Sequence, residues 1–153
     1  MKELLDLLAR NNLTLGSCES MTGGLFAAKL TSVSGASKVF KGSIVSYSAL
    51  VKESVLGISP NLISQFDVVS KEVAEEMALN AKKLLDVDVC VSVTGNAGPT
   101  CEPGKAGVGV FYIGVAYLDK VNVFKHQVDG DREAIRNEAV LAMQEDIKKL
   151  INF

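Results

Sequence analysis

The stretch LTLGSCESMTGGLFAAKL, Leu13–Leu30, decides how the rest of the chain is read. Leu13–Ser17 has the look of a short strand, Glu19–Gly24 of a polar, glycine-containing turn, and Leu25–Leu30 of an apolar helix. A turn between strand and helix aims free backbone N–H groups outward at the helix N-terminus. Those groups attract a phosphate or a developing oxyanion. Ser20 would present its hydroxyl in the same cleft, with Thr22 beside it, and Gly23 and Gly24 would let a ligand approach the backbone closely. The plainer alternative is that Ser20 or Thr22 caps the helix and the glycines only form the turn.

Outward from that stretch, strands and helices intermix. Leu4, Leu5, Leu7 and Leu8 recur at helical spacing ahead of it. Gly42–Ser48 alternates as a strand and leads into a helix over Ala49–Leu56 that ends at Gly57. Pro60 starts another short helix. Ser70 is an N-cap for a helix whose apolar stripe draws on Val73, Met77, Leu84 and Leu85, with alanines at 74, 78 and 81 for close packing. Val87–Thr94 alternates as a strand, and Gly95–Gly107 is a long loop. Val108–Leu118 and Val121–Val128 form a hairpin about a turn at Asp119–Lys120. Asp131 caps a last helix that carries Ile135, Val140, Met143 and Ile147 on one face. The expectation is one domain over residues 1–153, of α/β class, with three α/β/α layers and a mixed sheet.

The 153 residues are 48% hydrophobic and 22% charged, enough apolar material for a core. A net charge of −2 with no Lys/Arg cluster argues against nucleic acid as a partner. No apolar run reaches the ~20 residues of a membrane span, and acidic residues interrupt the N-terminal segment where a signal peptide needs an apolar core. Three cysteines without paired spacing point to reduced thiols and a cytoplasmic location.

Several motifs fail on inspection. Gly98 to Lys105 has the wrong spacing for a phosphate loop, and Ala106 stands where the hydroxyl residue belongs. Gly107 and Gly109 begin a dinucleotide fingerprint that Tyr112 breaks. Tyr47 and Lys52 are one residue too far apart for a Tyr-x-x-x-Lys pair. One histidine and three scattered cysteines do not make a zinc site, so no metal and no cofactor is expected. His126 lies in an expected strand and there is no nucleophile elbow, so a serine hydrolase here would use a base other than histidine.

What survives is a set of polar segments. Thr94-Gly95-Asn96-Ala97-Gly98 follows a strand at the end where ligands collect in open α/β sheets, and reads as an amide or phosphate cradle or as a tight turn. Lys52 could activate a serine if desolvation lowers its pKa; on its own it reads first as a solvated surface lysine. Arg132 and Arg136 share a helix face and suit a phosphate or carboxylate, or else pair with Asp131 or Glu133.

Together ESMTGG (Glu19–Gly24), GASKVFKGSIVSYS (Gly35–Ser48), YSALVKESVLG (Tyr47–Gly57), VSKEVAEEMA (Val69–Ala78), VTGNAGP (Val93–Pro99) and GDREAIR (Gly130–Arg136) resemble the CinA C-terminal domain family of nicotinamide-nucleotide amidohydrolases. The resemblance implies hydrolysis of nicotinamide mononucleotide to nicotinate mononucleotide and ammonia, without metal, as in pyridine nucleotide salvage. It implies Ser20 as nucleophile and Lys52 as base with Tyr47 nearby. It implies substrate contacts from Thr22, Gly23, Gly24, Thr94, Gly95, Asn96, Ala97 and Gly98, Arg132 on the phosphate, and a homo-oligomer. The chain departs from the family pattern at Met21, where cysteine is usual, at Asn96, where an aliphatic residue is common, and through the loop Thr100–Gly109. Two rival expectations are a non-catalytic nucleotide-binding module and an amidase for another nucleotide amide. A third is a subunit that serves only to bind a partner protein.

Overall fold

The computed structural model describes residues 1–152. A helix α1 (Lys2–Arg10) leads into strand β1 (Leu15–Glu19) and helix α2 (Leu25–Thr31). A 3-10 turn at Ala36–Lys38 precedes β2 (Phe40–Val45). Three helices follow, α3 (Ala49–Ser54), α4 (Pro60–Phe66) and α5 (Lys71–Leu85). The chain finishes with β3 (Val89–Gly95), β4 (Val110–Tyr117), β5 (Lys120–Gln127) and α6 (Arg132–Ile151). The sheet order is β2-β1-β3-β4-β5. β1 runs parallel to both β2 and β3, while β4 and β5 add antiparallel. The sheet is therefore mixed, as expected.

Two cores flank it. One joins β1, β3 and β4 to α1, α2 and α6 through Leu4, Leu8, Phe26, Val91, Ile113, Ile135 and Met143. The other lies under α5 and contains Cys18, Val73, Met77, Ala81 and Cys90. The alanines at 74, 78 and 81 are fully buried, so α5 sits close on the sheet. A Cβ on Gly114 would lie 2.6 Å from the Ala74 carbonyl oxygen, so only glycine allows that approach. The capping expectations hold at Ser70, whose Oγ accepts from the Val73 N–H, and at Asp131, which accepts from the Ala134 N–H.

Four expected details shift. β1 is Leu15–Glu19 rather than Leu13–Ser17, so Cys18 and Glu19 belong to the sheet and not to the turn. All five of its residues are buried, although Gly, Ser, Cys and Glu are weak strand formers. The strand is held by pairing on both sides, and its polar side chains find buried partners. β2 stops at Val45 instead of reaching Ser48, because β1, its only strand partner among the described residues, ends at Glu19. Leu84 is 58% exposed and drops out of the α5 stripe; in that last turn Leu85 is the residue laid over Gly16 and Gly42. The hairpin turn is Leu118–Asp119, since Tyr117 pairs with Lys120, and Leu118 takes the positive φ of 55°. No described helix is long and apolar enough to cross a membrane.

Candidate active site

β1 and β3 are parallel neighbours, and the turns after their C-terminal ends open the cleft expected at such a sheet edge. Strand alternation sends successive β1 side chains to opposite faces. Cys18 enters the core beneath α5, while Ser17 and Glu19 face the other way and share a hydrogen-bond chain through Ser43. Ser20 follows the last strand residue, its N–H still donating to the Val93 carbonyl at 3.1 Å. Its hydroxyl lies on the side opposite Glu19, toward Lys52.

Lys52 comes from α3, a short helix that Ser48 caps through the Val51 N–H. Its side chain is buried to 1% exposure. Nζ lies 3.0 Å from Ser20 Oγ and donates to the Ser46 carbonyl at 2.6 Å. Among the described residues no carboxylate pairs with it. Burial brings its pKa down from 10.5 to about 8, against a small opposing effect of Cys18. Cys18 itself is pushed up to about 11 by burial, partly offset by its contact with Ser46. The surface-lysine alternative for Lys52 is thereby removed.

Sequence reasoning passed over Glu19 as a partner for the turn. Its carboxylate is fully buried and accepts from Thr22 Oγ1 at 2.7 Å, Phe26 N–H at 2.9 Å, Ala27 N–H at 3.1 Å and Ser43 Oγ at 3.2 Å. It supplies the cap that α2 otherwise lacks, since Gly24 at its N-cap has φ 98° and no side chain. The signal was available as an acidic residue just before a helix start. Neither Ser20 nor Thr22 caps α2 in the way the alternative supposed.

The cleft above Ser20 has a volume of about 240 Å³. Ser20, Lys52, Tyr47, Thr94, Gly95, Asn96, Ala97 and Arg132 all line it, together with Met21 and Val68. Thr22, Gly23, Gly24 and Gly98 do not. Thr22 points into the protein at Glu19, and Arg136 donates to the carbonyls of Met21 and Thr22, so the ESMTGG turn is clamped from behind. Arg136 is thus occupied with backbone rather than with Asp131 or Glu133. Thr94 Oγ1 donates to the Val68 carbonyl. Asn96 serves its own loop, accepting from the Gly98 N–H and donating to the Ala106 carbonyl. A Cβ on Gly95 would collide with Phe111 Cβ on β4 and lie 2.6 Å from Met21 Sδ, so the neighbouring strand requires glycine there.

At the rim Tyr47 is 59% exposed, and its hydroxyl accepts from Arg132 Nη2 at 3.0 Å. Arg132 Nη1 donates to the Gly98 carbonyl, so Arg132 ties α3's approach to the loop after β3. Two of the N–H donors of Arg132 are thus engaged within the protein. The backbone N–H groups of Met21 and Ala97 make no hydrogen bond among the described residues. His126 lies elsewhere, stacked on Phe111 and bonded at 2.7 Å to the buried Asp146. Among the described residues no group of three or more His, Cys, Asp or Glu side chains could hold a metal.

The arrangement matches known proteins along nearly its whole length. The family model of the CinA C-terminal domain covers residues 1–151. A competence-damage inducible protein of Thermoanaerobacter pseudethanolicus is 44% identical over 148 residues, 97% of this chain and 36% of the relative. A CinA-like protein of Flavobacterium psychrophilum is 43% identical over 145 residues, 95% of this chain and 35% of the relative. The chain thus spans about a third of the length of these curated relatives. The crystal structure of a competence/damage inducible protein from Agrobacterium tumefaciens superposes with a TM-score of 0.93 at 27% identity, covering 99% of this chain and 93% of that one. A CinA superfamily structure from Klebsiella pneumoniae gives a TM-score of 0.95 at 21% identity over 97% of this chain and 93% of that one, a likeness of fold. With the family model matched over residues 1–151 and the fold superposing on a solved relative, the chain belongs to the CinA C-terminal domain family.

Proposed function

We propose that the chain is an amidohydrolase in which Ser20 is the nucleophile and Lys52 the general base, acting on nicotinamide mononucleotide. The observation that carries this reading is the contact of a buried lysine, unpaired by any carboxylate among the described residues, with a serine hydroxyl at 3.0 Å. An ammonium held by an ion pair keeps its proton; one held by burial gives it up near neutrality. The choice of substrate rests on the family resemblance of the motifs quoted above.

In this mechanism neutral Lys52 accepts the Ser20 proton as Oγ attacks the carboxamide carbon. The oxyanion is met by the free N–H groups of Met21 and Ala97. The lysine returns the proton to the departing nitrogen, which leaves as ammonia, and the acyl group stays on Ser20. Water then attacks the ester with Lys52 again as base, releasing the carboxylate and restoring the serine. Tyr47 and Arg132 stand at the rim, where they hold the loop that carries Ala97.

Ammonia release from nicotinamide mononucleotide tests the reading. The wild type should turn over, and Ser20→Ala should lose about three orders of magnitude or more in kcat while binding the nucleotide with similar affinity. Residual turnover near the wild-type rate overturns the covalent route. Nucleotide binding by a wild type that releases no ammonia makes the chain a binding module.

A further inference from the structure

The cleft over Ser20, at about 240 Å³, is smaller than the range in which pockets usually enclose a whole drug-sized ligand. It does not end there. Val68, Val69, Gly95 and Asn96 also line a second lobe of about 510 Å³. That lobe is walled by Asp67 at the end of α4 and by Thr100, Cys101, Glu102, Lys105 and Ala106 of the loop after β3.

The loop is anchored at both ends by one residue. The Asn96 backbone exchanges hydrogen bonds with Val110 and Gly109, and its side chain donates to the Ala106 carbonyl. The lobe is lined by one cation, Lys105, and two carboxylates, Asp67 and Glu102, and Lys105 Nζ meets Asp67 Oδ2 at 2.8 Å. Asp67 has φ 72° and ψ 163°, a conformation that is nearly confined to glycine. A carboxylate kept at a position where glycine would be unstrained points to a use for the carboxylate. Its Oδ1 accepts from the following Val68 N–H, while Oδ2 meets Lys105.

A mononucleotide offers two things beyond its base: a diol, which a carboxylate accepts from, and a phosphate, which a lysine answers. Arg132, the other candidate cation, lines the cleft over Ser20 and not the second lobe, and two of its N–H donors go to Gly98 and Tyr47. We infer that the second lobe takes the ribosyl phosphate of the substrate, Lys105 binding the phosphate and Asp67 the ribose hydroxyls. This rests on the amidase reading for the position of the carboxamide at Ser20. In the empty lobe Lys105 and Asp67 pair with each other, and an arriving phosphate exchanges for Asp67 on Lys105 while the carboxylate turns to the sugar.

The test compares nicotinamide mononucleotide with nicotinamide riboside on the wild type, Lys105→Ala, Asp67→Gly and Arg132→Ala. Lys105→Ala should raise KM for the nucleotide roughly tenfold or more, with kcat nearly unchanged and the riboside unaffected. Asp67→Gly suits the backbone at that position, so a rise in KM for both substrates with undiminished thermal stability would report the lost hydroxyl contact. An unchanged nucleotide KM in Lys105→Ala, with a rise confined to Arg132→Ala, overturns the inference. So does an equal rise for riboside and nucleotide in Lys105→Ala, which would mean a loop effect. Calorimetric titration with ribose 5-phosphate separates this from the amidase reading. If the wild type releases no ammonia yet binds ribose 5-phosphate, and Lys105→Ala weakens that binding roughly tenfold, the inference stands alone. Titration that finds no binding, or equal binding to both proteins, overturns it.

Discussion

Glu19 and Lys52 are both buried charged side chains next to Ser20, and they are treated in opposite ways. The Glu19 carboxylate receives four hydrogen bonds, two of them from the N-terminus of α2. Lys52 has a single carbonyl and the serine hydroxyl, with no carboxylate among the described residues to hold its charge. One group is compensated and structural. The other is left short of partners and is thereby made reactive. The separation comes from strand alternation, which places Glu19 on one face of β1 and the serine that follows on the other. Had the carboxylate faced Lys52, their attraction would have raised the lysine pKa and removed the base.

The comparison breaks most visibly at Lys52. Replacement by Met fills a similar volume with no charge, so turnover should fall by at least about three orders of magnitude. Stability should move the other way. The native pKa of about 8 lies below the ordinary 10.5, so the unfolded chain binds more protons between those values. Wild-type stability therefore rises as pH climbs from 8 to 10.5, and below 8 the full cost, roughly 3 kcal/mol, is present. Lys52→Met should melt above the wild type at pH 7, and the gap should narrow at pH 9.5. Paired thermal melts at the two pH values check this; a gap that stays constant would mean that burial is not what perturbs Lys52.

Glu19 gives the converse result. Glu19→Ala strips acceptors from Phe26, Ala27, Thr22 and Ser43 in a dry site, at an expected cost of about 3 kcal/mol in urea unfolding. Activity should fall with it because the turn that carries Ser20 loosens. A loss below about 1 kcal/mol would show that the α2 N-terminus finds solvent instead, and that the two charges differ less than their surroundings suggest.

The same contrast explains what could be read from the chain. Helices α5 and α6 were legible because Ser70 and Asp131 announce their starts and a burial period follows. β1 was displaced by two residues because LGSCE has no strand pattern; its Ser17 and Glu19 are tolerable only through partners on β2 and α2, which no local reading contains. Ser20 and Lys52 could be named from motif resemblance, but their 3.0 Å contact depends on α3 packing its lysine inward past Ser46. Thr22 and Arg136, by contrast, look like ligand groups in sequence and are spent inside the protein. The second lobe was illegible for the same reason: Asp67 and Lys105 are remote in sequence and meet only through the anchored loop.

The smallest expected effect concerns Cys18, whose thiolate, once formed, would raise the Lys52 pKa. Its thiol, pushed up to about 11 by burial, is uncharged at the pH where Lys52 loses its proton. The rate profile should therefore rise with pH through a midpoint near 8 and level off above it in the wild type, following neutral Lys52. Cys18→Ala should leave that midpoint in place to within a few tenths of a pH unit. A midpoint that drops clearly in Cys18→Ala would mean that a thiolate supports the ammonium. Lys52 would then be half of a buried pair like Glu19 and its donors, and the contrast between a compensated charge and a deprived one would fail at the residue on which the chemistry depends.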